Sequence, residues 1–167
     1  IAMLDEPLRR RLTIHQQARF EQIDELQSNY ANLGINADIK PFFTNMPALL
    51  GNSHLVICRA GASSVAELAA TGRPALLLPL PNSMDDHQRM NAMQMQEAGG
   101  GICLDETNLS AAVLATRLMQ LLDTPRTLSE MATAARSLAN PDAADLIATM
   151  AEHLVAVAPS KTTGADA

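Results

Sequence analysis

A short apolar strand, a glycine turn and a helix follow one another in residues 55–72, LVICRAGASSVAELAATG. A helix that opens directly after a buried strand aims its unpaired N–H groups and positive dipole end beyond the strand's carboxyl end, where an anion is stabilised. Gly61 lets a backbone approach closely, and Ala62, Ser63 and Ser64 keep the mouth small enough for a phosphate or diphosphate. An ordinary tight turn has the same pattern. Glu67 supports two readings: Ser64 and Glu67 have the spacing of a capping box, and a carboxylate beside a phosphate site can accept from both vicinal hydroxyls of a ribose. Arg59 ends the strand and is expected to face the crevice, because a buried, unpaired guanidinium is costly. There it pairs with an acid or supports a ligand.

A second constellation is PLPNSMDDHQRMN, residues 79–91. Its Pro and Asn loop delivers His87, Gln88 and Asn91 onto the first turns of a helix, and such side chains suit sugar hydroxyls. Asp85, Asp86 and His87 are consecutive, with no second cluster to supply further ligands, so no metal is expected and Asp85 or Asp86 is read as the helix N-cap. Without an Asp-x-Asp pair to hold a divalent cation, the helix N-terminus would have to offset a diphosphate's charge. Phe42 and Phe43 in KPFFTNM are read either as core contacts or as a strand-end loop whose backbone meets the edge of a base. Cys58 and Cys103 lie in apolar runs with no CxxC spacing, as small buried hydrophobes do.

These residues need a scaffold, and the periodicity predicts one. Short strands are expected at 12–15, 37–42, 55–58, 75–78 and 101–104, alternating with helices at 17–33, 46–50, 63–70 and 87–98, with Gly34, Gly72 and Gly99 as helix stops. Short apolar strands between helices imply an α/β class with a parallel sheet covered on both faces. From Ser110, an N-cap, the chain turns helical, with Leu114, Leu118, Leu121 and Leu122 as one stripe. Thr124-Pro125 and Asn140-Pro141 open two further helices, the last carrying Ile147, Met150, Leu154 and Val157 inward. Residues 1–11 read as the tail of a helix with no start signal, which suggests a fragment.

Length predicts one domain, because 167 residues is close to the usual domain size of about 150. Residues 1–158 form it, and 159–167 are expected to be a disordered tail. A hydrophobic fraction of 47% supplies a core, and a net charge of -6 opposes binding to nucleic acid by bulk attraction. No apolar run approaches the roughly 18 residues of a membrane span.

In this order, KPFFTNM (40–46), HLVICRAGASSVAELAATGRPALLLPLP (54–81) and DDHQRMNA (85–92) resemble the carboxyl-terminal half of the bacterial peptidoglycan glycosyltransferases that add N-acetylglucosamine to lipid I. LTIHQQAR (12–19) and EAGGGICLDETNLS (97–110) agree more loosely, and the likeness covers about residues 1–157. It implies a GT-B architecture of two Rossmann-like domains, each a parallel sheet with helices on both faces, with this chain as most of the donor-binding domain for UDP-N-acetylglucosamine. Phe43 would meet uracil through its backbone with Phe42 packing beside it. Ala62, Ser63 and Ser64 would present N–H groups to the diphosphate, Glu67 would take the ribose hydroxyls, and His87, Gln88 and Asn91 would lie near the sugar. Arg59 joins them as a substrate-binding residue.

The resemblance further implies no cofactor, no metal and no nucleic-acid partner. Lipid I, membrane contact and the catalytic base would belong to an amino-terminal domain absent from this sequence, and the family's opening strand and Gly-Gly-Ser phosphate loop have no counterpart in it. The expected place is the cytoplasmic face of the bacterial inner membrane. The chain alone would be inactive. Alternatives are another GT-B UDP-sugar transferase or epimerase, and a non-catalytic nucleotide-binding or interaction module.

Overall fold

The structure, a computed structural model, describes residues 1–81 and 86–157. All strand pairing among them is parallel. β1 (Thr13–Gln17) pairs with β2 (Asn36–Lys40), with Thr13 opposite Asn36 and Gln17 opposite Lys40. β3 (Val56–Cys58), β4 (Ala75–Leu77) and β5 (Gly101–Cys103) form a second sheet in that order. The expected single sheet is therefore two. One edge of β1 is taken by β2 and one edge of β3 by β4, and among the described residues no strand joins the other two edges.

The helices connect successive strands. α2 (Ile23–Asn32) packs on the first sheet, where Tyr30 donates its hydroxyl to Gln16 Oε1 at 2.6 Å. α3 (Met46–Asn52), α4 (Ala62–Thr71) and α5 (His87–Glu97) follow β2, β3 and β4. Beyond β5 come α6 (Ala111–Leu122), α7 (Pro125–Ser137) and α8 (Ala143–Val157). Ser110 caps α6 by accepting from the Val113 N–H, and Pro125 opens α7 after Thr124.

β4 is the centre of the core because it is covered on both faces. Leu76 points to Leu4, Leu8, Leu104, Leu118 and Leu121, while Ala75 and Leu77 point to Leu50, Leu68, Ala92, Met95 and Ala135. Alternation along a strand sends successive side chains to opposite faces, and each leucine so buried contributes about 1.5–3 kcal/mol. α7 seats directly on the second layer: a Cβ at Gly100 would lie 2.7 Å from Ala135 Cα. Gly72 ends α4 in the left-handed region at φ +63°, which glycine adopts without steric cost.

Several expectations change. β1 runs on to Gln17, and the following helix proper begins only at Ile23, after a 3-10 turn. Residues 1–11 do contain a start signal: Asp5 accepts from the Leu8 N–H and Pro7 stands in the first turn of α1 (Glu6–Arg9). The last helix begins at Ala143, and its Ile147 and Met150 are exposed rather than inward, because no element of the described chain packs on that face. The side chains of Leu154 and Val157, and the tail 159–167, lie outside the described residues, as does Asp85.

Candidate functional site

The strand exits of the second sheet bring the candidate residues together. α4 opens at Ala62, with Gly61 as N-cap, so Ala62, Ser63 and Ser64 are its first three residues. Their N–H groups precede the first intrahelical bond, from Val65 to the Gly61 carbonyl, and make no backbone hydrogen bond among the described residues. Gly61 has φ -61°, and a Cβ built there would meet only Ser64 Oγ at 3.7 Å. Packing among the described residues does not demand glycine at this position.

The capping-box alternative for Glu67 fails on this geometry. Ser64 is the third residue of α4 rather than its N-cap, so Glu67 stands on the second turn, too far along to fold back on the cap. Its carboxylate is exposed and has no hydrogen bond or ion pair among the described residues. It lies close enough to Cys58 to act on it: burial first, and the Glu67 charge second, push the Cys58 thiol up to about 11.

Arg59 crosses the ends of three strands. Its Nη1 donates to the carbonyls of Leu78 at 3.2 Å and Pro79 at 3.4 Å, and to Glu106 Oε2 at 2.7 Å, while Nη2 donates to Glu106 Oε1 at 3.2 Å. The hydrogen bonds from Arg59 hold the Glu106 carboxyl below its usual range, and Glu106 raises the Arg59 guanidinium in turn. Both side chains are partly exposed, so this is a geometric clamp more than a source of stability.

α5 fastens the same edge from the other side. Asn91 Nδ2 donates to the Ala60 carbonyl at 3.0 Å, and Gln88 Oε1 accepts from the Leu80 N–H at 2.9 Å. Each amide thus spends one half on the scaffold, and its other half has no partner among the described residues. Asp86 is the N-cap, in the left-handed region at φ +56°, and His87 is the first, exposed residue of the helix. Among the described residues no three His, Cys, Asp or Glu side chains cluster as metal ligands would.

Phe43 stands apart from this group, on the sheet of β1 and β2. Its ring meets His15 edge-on at 6.3 Å between centroids, and Lys40 Nζ lies 5.4 Å from its centre. Phe42 is 68% exposed, so the ring that packs within the chain is Phe43. Two surface grooves, of about 400 Å³ at Gln17, Ala18, Arg19, Gln22 and Pro41 and about 520 Å³ around Thr71, Gly72 and Arg136, touch none of the residues of the second sheet's edge. That edge is an open shelf. Sequence reasoning missed Glu106 and the Ala60 carbonyl; an acid just past a strand end was a signal for Glu106, but Asp105 next to it was an equal candidate and instead caps its own turn through Thr107.

Anion-ready N–H groups, an unpaired acid and two half-committed amides on one parallel-sheet edge are what a nucleotide fold presents. A profile of the glycosyltransferase family 28 C-terminal domain matches residues 3–147. The chain belongs to this family. The family 28 domain is 43% identical over 169 residues to the UDP-N-acetylglucosamine--N-acetylmuramyl-(pentapeptide) pyrophosphoryl-undecaprenol N-acetylglucosamine transferase of Rhodospirillum rubrum, covering 99% of this chain and 44% of that protein. It is 44% identical over 152 residues to the protein of the same name from Caulobacter vibrioides, covering 91% and 42%. The chain therefore spans less than half the length of these curated relatives. Among solved structures, Acinetobacter baumannii MurG superposes with a TM-score of 0.78 at 30% identity, over 89% of this chain and 46% of that one. Glycosyltransferase VinC in complex with dTDP superposes at 0.58 and 14% identity, over 92% and 45%, a likeness of fold alone. The fold of the family 28 domain is that of a GT-B carboxyl-terminal domain, with parallel strands and helices on both sides.

Proposed function

We propose that this chain is the donor-binding part of an inverting glycosyltransferase that moves N-acetylglucosamine from UDP-N-acetylglucosamine to lipid I in peptidoglycan synthesis. The observation that carries the reading is the opening of α4: three N–H groups without backbone partners at Ala62, Ser63 and Ser64, with the unpaired Glu67 carboxylate further along the same helix. The activity by which the relatives are named supports the choice of sugar and acceptor. The N–H groups take the diphosphate and Glu67 accepts from the ribose hydroxyls. Phe43 offers its backbone to uracil, and His87, Gln88 and Asn91 lie by the sugar.

In the transfer, the acceptor hydroxyl attacks the anomeric carbon while UDP departs from the opposite face. The chain's contribution is to orient the donor and to stabilise the charge growing on the leaving diphosphate with preorganised N–H groups, which need no reorganisation as the bond breaks. The general base, the lipid I cleft and the contact with the cytoplasmic face of the inner membrane belong to the rest of the protein. Among the described residues no helix is long and apolar enough to cross a membrane. Among the described residues no strand joins the second edge of β1 or of β3, which supports a further parallel strand pairing there in the longer protein.

Calorimetric titration of the full-length protein with UDP-N-acetylglucosamine, UDP and ADP, alongside a transfer assay on lipid I, tests the proposal. Binding of both uridine ligands, rejection of ADP and transfer to lipid I are expected. No uridine nucleotide binding would overturn it; binding without transfer to lipid I would leave the donor site standing and overturn the acceptor.

A further inference from the structure

Arg59 and Glu106 stand 47 residues apart, on the exits of β3 and β5, and meet across the end of β4. The contact is end-on: Nη1 and Nη2 each donate to one carboxylate oxygen, and the second N–H of Nη1 is turned to the Leu78 and Pro79 carbonyls. A guanidinium has five N–H donors in a rigid plane, so these commitments leave one side of the fork, Nε–H and the second N–H of Nη2, without a partner among the described residues. The pairing therefore fixes which side stays available. Arg59 is also covalently next to Ala60, whose carbonyl Asn91 holds, and three residues before Ala62, where α4 begins.

We propose that Glu106 is a positioning residue for ligand binding at this sheet edge: its two-point grip orients Arg59 so that the free side of the guanidinium is presented to an oxyanion of the bound nucleotide sugar. This rests on the donor-binding reading above. Neither partner alone suffices. Without Glu106, Arg59 is a flexible side chain tethered by two carbonyls, and its fork is no longer held in one orientation; without Arg59, Glu106 is an exposed acid with nothing to orient. A carboxylate matches the fork with two acceptors, whereas the amide of glutamine offers one acceptor and turns a donor against the guanidinium.

The test is a double-mutant cycle on donor affinity in the full-length protein, read by titration with UDP-N-acetylglucosamine and paired with thermal melting of every variant. E106Q is expected to weaken donor binding by about 3- to 20-fold with an unchanged melting temperature, and R59A by at least as much. R59A/E106Q should bind no worse than R59A alone, since Glu106 acts through Arg59. E106D, which keeps the charge but shortens the reach, should fall between wild type and E106Q, and it decides the matter if E106Q does not fold. Donor affinity of E106Q within about twofold of wild type, penalties that add in the double variant, or wild-type affinity in E106D would overturn the inference while the donor-binding reading stands. A wild-type protein that binds no UDP-sugar would overturn that reading and this inference together.

Discussion

Asn91, on α5, donates its side-chain N–H to the carbonyl of Ala60, in the turn that launches α4, at 3.0 Å. The bond joins the loop after β3 to the helix after β4, so the two segments that stand out in the sequence are one mechanical unit. It sets where the N–H groups of Ala62, Ser63 and Ser64 point. Asn91→Ala is expected to lose about 0.5–1.5 kcal/mol of stability and up to roughly tenfold in donor affinity. Asn91→Asp should do worse on affinity than Asn91→Ala, because an anionic carboxylate not only fails to donate to the Ala60 carbonyl but repels its oxygen. Urea unfolding and nucleotide titration of both variants check this, and equal affinity in all three proteins would remove Asn91 from the site.

Glu67→Gln should separate binding from folding. The carboxylate caps nothing in α4 and has no hydrogen bond among the described residues, so the melting temperature should hold. Charge-assisted hydrogen bonds to a ribose are worth about 1.5–3 kcal/mol, which predicts a loss of roughly 10- to 100-fold in affinity for UDP-N-acetylglucosamine. Unaltered affinity would show that the ribose lies elsewhere.

Gly100→Ala tests the seat of α7. The added Cβ would meet backbone, 2.7 Å from Ala135 Cα and 2.8 Å from Ala135 N, which cannot move aside as a flexible side chain can. Overpacking of this kind costs about 1–3 kcal/mol, read as a lower midpoint in urea. An unchanged midpoint would mean that α7 shifts freely on the sheet.

Cys58 predicts an alkaline limb. Its thiol is pushed up to about 11, chiefly by burial and then by Glu67, whereas in the unfolded chain it ionises near 9. The raised value means that its contribution to stability is complete below about pH 9 and is lost as pH rises from there through 11. The melting temperature should fall across that window, and less steeply in Cys58→Ala. Cys103 and Tyr30 shift the same way through burial, so the limb should shrink without vanishing. Melting curves of equal slope for both proteins would contradict the burial of this thiol.

Donor binding should not require a divalent cation, because the opening of α4 supplies the positive end of a dipole and the described residues hold no ligand cluster. Titration of the full-length protein with UDP-N-acetylglucosamine before and after EDTA treatment should give the same affinity. A loss restored by magnesium or manganese would refute it.

Features that depend on neighbours along the chain were legible before any folding. The alternation of short apolar runs with helical periods is a local record of burial, and it gave the parallel α/β class and the order of elements. The turn at Gly61, the left-handed stop at Gly72 and the caps at Ser110 and Thr124 are likewise set within a few residues. Features that depend on meetings between distant segments were fixed by packing. Ser64 and Glu67 have capping-box spacing wherever the helix starts; the N-cap at Gly61, three residues before Ser64, removed that role and left the acid without a partner among the described residues. Ile147 and Met150 have the spacing of a buried stripe, yet burial needs a second surface, and the described chain offers none. Asp105 and Glu106 are indistinguishable acids in the sequence, and the path of Arg59 over the end of β4 is what makes one a cap for its own turn and the other a clamp 47 residues away. A strand period records that a face is covered and carries no information about which strand exits stand side by side, so the composition of the site's edge was settled by packing alone.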